Sequence, residues 1–290
     1  MIMSIARAGN ICTNSVFRNG HVSRGLSMAT AHAPSITLFQ YNICPFCHKT
    51  KALLEYAGVQ YSTVEVNPLT KQELKSLSGN YKKVPIAKID GEIVNGSDKI
   101  IDMVLNQPTI SKALAARWNE DGSENQCMSM EEFRSSESAI FWKEYASDEL
   151  AALLYPNICR SLSDSYQAFG YVRDVDSFSP LQKVAIRGLG SLAMYFAASK
   201  VKSKRGIIDE RKALEQCLTE WEEKGLKNGF NLFSSGKSAP NIGDVSMFGT
   251  LQSIDGLQAH SEVISNRVGA TKEWYDRMNY LISRETISLE

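Results

Sequence analysis

Apolar positions change rhythm twice along this chain of 290 residues. In "ITLFQY", Ile36 to Tyr41, apolar and polar residues alternate with the period of a half-buried strand. From Phe46 the less polar positions fall at Phe46, Thr50, Leu53, Leu54 and Ala57, which is helical spacing, and Gly58 stands where a glycine commonly closes a helix. "VQYSTVEV" predicts a second strand closed by Asn67-Pro68, and Thr70 to Leu77 predicts a second helix. "VPIAKID" and "EIVNG" read as a hairpin turning at Asp90-Gly91. Ser97 is then the expected cap of a helix through Ile100, Ile101 and Val104. The order β-α-β-α-β-β-α predicts a helix-flanked mixed sheet whose last two strands are antiparallel.

The second change comes after residue 107. Residues 108–130 carry polar and turn residues and read as a linker. Beyond Glu131 strand signals stop, and helices are expected around Phe133–Leu154, Leu181–Lys204, Asp209–Lys224, Asn241–Leu257 and Ala270–Arg284. Met194, Tyr195, Phe196, Trp221, Phe248 and Trp274 are assigned to the core, because such side chains bury large areas. In "SAPNIGDVSMFGTLQSI", Asn241 can accept from the amides of a new helix while Asp244 reaches back. That is a capping box with Asp where Glu or Gln is usual, and it fixes where a central helix begins. The expected organisation is a leader over 1–34, an α/β domain over 35–107, a linker over 108–130 and an all-helical domain over 131–290.

Charge alters this picture only at the start. Lys plus Arg and Asp plus Glu both number 32, so nothing points to nucleic acid as a partner. No acidic residue precedes Glu55, whereas residues 1–34 hold Arg7, Arg18 and Arg24 among many Ser, Ala, Asn and Gly. This is the composition of an organelle presequence, and the expected location is mitochondrial, or cytoplasmic if the leader does not function. No apolar run approaches the ~20 residues of a spanning helix.

The chemistry centres on "ICPFC". Cys44 falls between strand end and helix start, where amide N–H groups lack helical partners and favour a thiolate. Cys47, about a turn further in, is placed to resolve a mixed disulfide. Pro45 suits the first helical position, and His48, Lys49 and Lys51 add cationic character, although some of them must point away from the sulfur. A structural zinc site wants four ligands. The chain has no second C-x-x-C, and of its four histidines two lie in the leader, so no metal is expected. A [2Fe–2S] cluster bridging two chains through Cys44 is a further alternative. Val84-Pro85 opens a strand where a backbone can be left free to bind something. Asn95-Gly96-Ser97-Asp98 offers a hydroxyl and amides at a helix start, a place for a carboxylate or an ordinary cap.

Thiol, Val-Pro and serine-capped helix in this order resemble the glutathione-binding domain of glutaredoxins and glutathione transferases, a thioredoxin-like α/β fold. The helical half, with "PNIGD" opening a central helix, is similar to the transferase C-terminal domain. "LFQYNICPFCHKTKALL", "VEVNP", "YKKVPIAKIDG", "FWKEYASDEL", "YPNICR", "SLAMYFAASKVKSK" and "PNIGDVSMFGTLQSIDGL" are similar, in order over residues 38 to 258, to the membrane-associated prostaglandin E synthase type 2 family. The resemblance implies isomerisation of prostaglandin H2 to prostaglandin E2 with Cys44 as the essential thiol, and with Tyr41 and Phe46 in the pocket. It also implies glutathione held by Val84, Pro85 and Ser97 with Lys83 near a carboxylate, haem bound together with glutathione, and a homodimer. Two departures stand out. Gly96 occupies the position of an acidic residue, and the expected apolar segment ahead of the catalytic domain is replaced by the leader. Two other readings stay open: a glutathione-dependent thiol–disulfide oxidoreductase, and a haem- or glutathione-binding protein without catalysis.

Overall fold

The structure, a computed structural model, describes residues 33–284 apart from 78, 80 and 122–127. The leader expected over 1–34 therefore lies, save its last two residues, outside the described residues.

Four short strands form one mixed sheet: β1 (Ile36–Gln40), β2 (Ser62–Glu65), β3 (Ile86–Ile89) and β4 (Glu92–Asn95), in the order β2-β1-β3-β4. β1 runs parallel to β2, with Phe39 opposite Val64, and antiparallel to β3, with Leu38 opposite Ala87. β3 and β4 pair antiparallel, as the hairpin signal predicts. Helix α1 (Pro45–Tyr56) crosses between β1 and β2, and α2 (Ser97–Leu105) follows the hairpin. This is the thioredoxin-like arrangement.

The helix expected over Thr70–Leu77 shrinks to a single 3₁₀ turn, Gln72–Leu74. Local hydrogen bonds compete with it: the Asn67 Oδ1 accepts from the N–H groups of Leu69 and Thr70, and Glu73 takes the Asn67 N–H. Lys71, just ahead of the turn, sits at a left-handed φ of 50°.

The segment 108–130, read as a linker, holds helix α3 (Pro108–Asp121). Ile110, Leu114 and Trp118 recur every four residues and are buried on one face. Trp118 donates from Nε1 to the Tyr56 hydroxyl at 3.1 Å, and Arg117 donates to the carbonyls of Tyr56 and Leu281. Polar residues dominate the composition of this stretch and mask the stripe.

The rest is helical, as expected: α4 (Met130–Ser135), α5 (Glu137–Tyr145), α6 (Ala151–Ile158), α7 (Leu162–Ala168), α8 (Pro180–Ala185), α9 (Ser191–Arg205), α10 (Glu210–Glu220), α11 (Ile242–Gln252), α12 (Gln258–His260) and α13 (Ala270–Ser283). A π-helical turn, Ala146–Leu150, joins α5 to α6, and another, Ile186–Gly190, joins α8 to α9. Helix α11 is buried on every side from Ile242 to Leu251. It begins at the predicted capping box: the Asn241 Oδ1 accepts from the Gly243 and Asp244 N–H groups, and the Asp244 carboxylate accepts from the Asn241 N–H at 3.0 Å.

One core runs through both halves. Leu38, Leu53, Ile100 and Val104 from the α/β part join Val245, Phe248, Leu251 and Trp274 from the helical part. At its centre α1 lies directly on α11. A Cβ on Gly249 would come within 2.7 Å of the His48 carbonyl and 2.8 Å of the Ala52 Cβ, so only glycine admits this approach. Trp221, Phe248 and Trp274 are core, as assigned from sequence, but Phe196 is 61% exposed. The α8–α9 segment covers the body with one edge only.

Candidate active site

Cys44 is the N-cap of α1, with extended backbone (φ −90°, ψ 117°) and no side chain bonded to the helix start. Its N–H donates to the Tyr41 carbonyl at 3.0 Å, which folds the Tyr41–Cys44 turn back on itself. Pro45 takes the first helical position, as predicted, where a missing N–H removes nothing. The Cys44 thiol is held below its ordinary range. A hydrogen bond from the Cys47 thiol is the main cause, and the backbone amides of Cys47 and Phe46 add to it, against the opposing effect of burial and of Glu65. Cys47 is fully buried and pushed well above the ordinary thiol range, first by burial and then by its partnership with Cys44. The pair is therefore unequal: one thiolate, one donor.

Cys44 opens on a cavity of about 390 Å³ at the junction of the two halves. Of the residues singled out from sequence, Tyr41, Cys44, Phe46, Lys83 and Val84 line it together. Cys47, Pro85 and Ser97 do not; Cys47 supports from behind, and the Val84-Pro85 bond is cis. The other walls are Ile158, Phe169 and Met194, with Lys71 and Lys82 beside Lys83. The Tyr41 hydroxyl is buried without a hydrogen-bond partner. Burial first, then the neighbouring thiols, push its ionisation up, so it stays protonated as a donor.

Two expectations are corrected here, the charge of His48 and the cap of α2, and Lys49 is the cation that points away. His48 adds no positive charge. Burial, helped by Lys51, pushes it down to about 3, and its Nε2 lies 2.7 Å from the Asn42 carbonyl, to which the neutral ring donates. Lys49 turns away from the sulfur; fully buried, its Nζ donates to the Asp98 Oδ1 and the Ser147 Oγ, both at 2.8 Å. Ser97 is not the cap of α2. Gly96 occupies that position with φ 91°, and Ser97 is the first helical residue, 6% exposed. A backbone with that φ suits glycine, and Asp98, the nearest carboxylate, is already paired to Lys49.

Tyr155 and Tyr171, which sequence reading missed, also line the cavity. Tyr155 precedes Pro156 in the segment "YPNICR", which carried no role by itself, and the packing of α6 against α1 brings it to the thiol. Among the described residues lining the cavity there is no histidine, so an iron there would have to draw on Cys44 itself, on Met194 or on a protonated tyrosine. Among the described residues no group of three or more His, Cys, Asp or Glu is placed to hold a metal, and no helix is long and apolar enough to cross a membrane.

Residues 36–94 match the glutaredoxin family model. The chain is 28% identical to prostaglandin E synthase 2 of Danio rerio, over 84% of this chain and 70% of that protein. It is 36% identical to glutaredoxin 1 of Rickettsia conorii over 72 residues, which are 24% of this chain and 71% of that one. Human glutathione transferase theta-2, solved in complex with glutathione, shares the fold with a TM-score of 0.51 at 14% identity, covering 87% of this chain and 84% of that one.

Proposed function

From the match of residues 36–94 to the glutaredoxin family model and the 28% identity to a prostaglandin E synthase 2, we propose that the chain isomerises prostaglandin H2 to prostaglandin E2 through Cys44. The observation that carries this reading is the meeting, in one largely apolar cavity, of a thiol held below its ordinary range and a tyrosine hydroxyl with no partner. The Cys44 thiolate takes the proton from the carbon that becomes the ketone. The C–H electron pair forms the new C=O bond, and the O–O bond breaks onto the second oxygen. Tyr41 donates its proton to that oxygen, which becomes the hydroxyl, and recovers it from the Cys44 thiol. No electrons are gained or lost overall, so no external reductant enters. Cys47, fully buried, donates to the thiolate and leaves Cys44 to react alone.

Glutathione would be held by the Val84 backbone, with Lys83 near a carboxylate and Ser97 and Pro85 supporting the wall; it would supply a second thiol. Gly96 cannot bind its ammonium, and Asp98 is engaged by Lys49, so this end of glutathione finds a weaker site than an acidic residue would give. The residues present make no separate ligand for haem, and no step here uses it. A homodimer through the helical domain and a mitochondrial leader complete the proposal. Sedimentation of the full chain tests the first, and N-terminal sequencing of protein recovered from mitochondria tests the second.

A second reading rests on the hydrogen bond that the Cys47 thiol gives Cys44 across the Cys-Pro-Phe-Cys turn: a glutathione-dependent thiol–disulfide oxidoreductase. The deciding experiment assays the protein on prostaglandin H2 and on a glutathionylated disulfide, with and without glutathione. Cys44→Ser is expected to abolish both activities, and Cys47→Ser to keep most of the isomerisation. Equal loss in the two variants on prostaglandin H2 refutes the single-thiol reaction.

A further inference from the structure

Asn42 lies two residues before Cys44, and both of its backbone groups are held by side chains. Its N–H donates to the Glu65 Oε1 at 2.9 Å, and its carbonyl accepts from His48 at 2.7 Å. Glu65 closes β2, and its other oxygen accepts from the Gln40 Nε2 at 3.3 Å. The Tyr171 hydroxyl of the helical half faces the same carboxylate. Glu65 thus holds the residues on either side of Tyr41, while it is not itself among the cavity's lining residues. No step of the proposed reaction uses it.

We propose that Glu65 is a positioning residue for the Cys44 thiol: it fixes the Tyr41–Cys44 turn through the Asn42 N–H and sets a carboxylate behind that turn. The inference rests on Cys44 being the reactive thiol. The groups around Glu65 are the Asn42 N–H, the Gln40 amide, the Tyr171 hydroxyl and Lys51, with Tyr41, Cys44 and Cys47 within its field. Lys51 alone among them is a cation, and it belongs to the next turn of α1. Burial pushes Glu65 up to about 6. Its charge, and with it the opposition to the thiolate, is complete only above that pH and fades as the carboxyl takes a proton.

Glu65→Gln separates the two roles. The introduced amide oxygen still accepts the Asn42 N–H, and its NH₂ group can donate to the Gln40 Oε1, a buried acceptor with no partner at present. The test titrates Cys44 in the full-length protein by iodoacetamide alkylation against pH, with the labelled peptide identified by mass spectrometry. Exchange of the Asn42 amide is followed alongside. In Glu65→Gln the alkylation midpoint is expected to move to lower pH and the rate below it to rise severalfold, with the Asn42 amide still protected. In Glu65→Ala the midpoint moves the same way, and the amide loses protection. A Glu65→Gln profile that superimposes on the unmodified protein's overturns the proposal.

Should the Glu65→Gln protein not fold, Glu65→Asp decides: an unmoved midpoint with faster Asn42 exchange supports the assignment, and a midpoint that falls despite the retained charge refutes it. Thiol titration needs no prostaglandin turnover. If the isomerase reading fails, the Glu65 result stands apart from it.

Discussion

Helices α1 and α11 touch at Gly249, yet they begin in opposite ways. Each start presents the same unsatisfied N–H groups. In α11 they are closed: Asn241 takes two of them, and Asp244 accepts from the Asn241 N–H, the Ser234 N–H, the Ser234 hydroxyl and the Trp274 indole. In α1 no side chain caps the start, and the amides near Cys44 remain for the sulfur. The ionisations diverge accordingly. Asp244, sealed on all sides, is pushed up to about 6 by burial despite its donors. The Cys44 thiol is buried at the edge of a cavity, accepts hydrogen bonds from the Cys47 thiol and from the Cys47 and Phe46 amides, and is held down. A filled helix start anchors the fold. An open one, given a cavity, makes a reactive group.

That contrast can be broken from either side. The largest effect is expected from Cys44→Ser: the proposed isomerisation falls ~10³-fold, in the middle of the range that acid–base groups contribute, while the thermal midpoint barely moves. Kinetics and a melting curve on one preparation check both halves of the statement. Asp244→Ala should do the reverse. It strands several buried donors at about 1–3 kcal/mol each, so unfolding in urea is expected to lose about 3 kcal/mol or more, with turnover per folded molecule preserved. Tyr41→Phe comes next: kcat drops about a hundredfold, the lower end of what such a group contributes, and stability holds or improves, because the hydroxyl has no partner to lose. The smallest effect sharpens the picture of the thiol pair. Cys47→Ala removes the donor to Cys44 and should raise the pH at which Cys44 alkylates, whereas Cys47→Ser, which keeps a donor, should hardly shift it.

Stability against pH follows from Asp244 with a definite sign. Its folded-state value lies above the ordinary 3.8, so the native state binds the extra proton between those values. The contribution of this group to stability is therefore greatest at low pH and declines as pH rises from about 4 to about 6. Denaturant midpoints of the unmodified chain and of Asp244→Asn across that range measure it.

Local chemistry was the most legible part of the sequence. The Asn241–Asp244 box, the Asp90-Gly91 hairpin and Pro45 after Cys44 each act within a few residues, and each stands where the sequence predicts. Site residues within the motif regions, Tyr41, Phe46, Lys83 and Val84, meet Cys44 at one cavity. What escaped depends on distant partners. Residues 108–121 become a helix because Trp118 and Arg117 find Tyr56 and Leu281, far along the chain. The charges of His48, Lys49 and Lys51 could be counted but not aimed, since helical rotation and the neighbours Asn42, Asp98 and Ser147 decide where each points. Tyr155 and Tyr171 reach the cavity only through helix packing.

Lys49 has a consequence for how such sequences can be recombined. Its ammonium is buried in the face of α1 that meets the helical half, with one acceptor, Asp98, inside the α/β part and the other, Ser147, outside it. Splicing the first hundred residues onto another scaffold would remove Ser147 and the Gly249 seat together, leaving a cation against an unmatched surface. A working chimera must transplant Lys49, Asp98, Ser147 and Gly249 as one inheritance, so the boundary at which this protein can be cut is not the one its sequence motifs suggest.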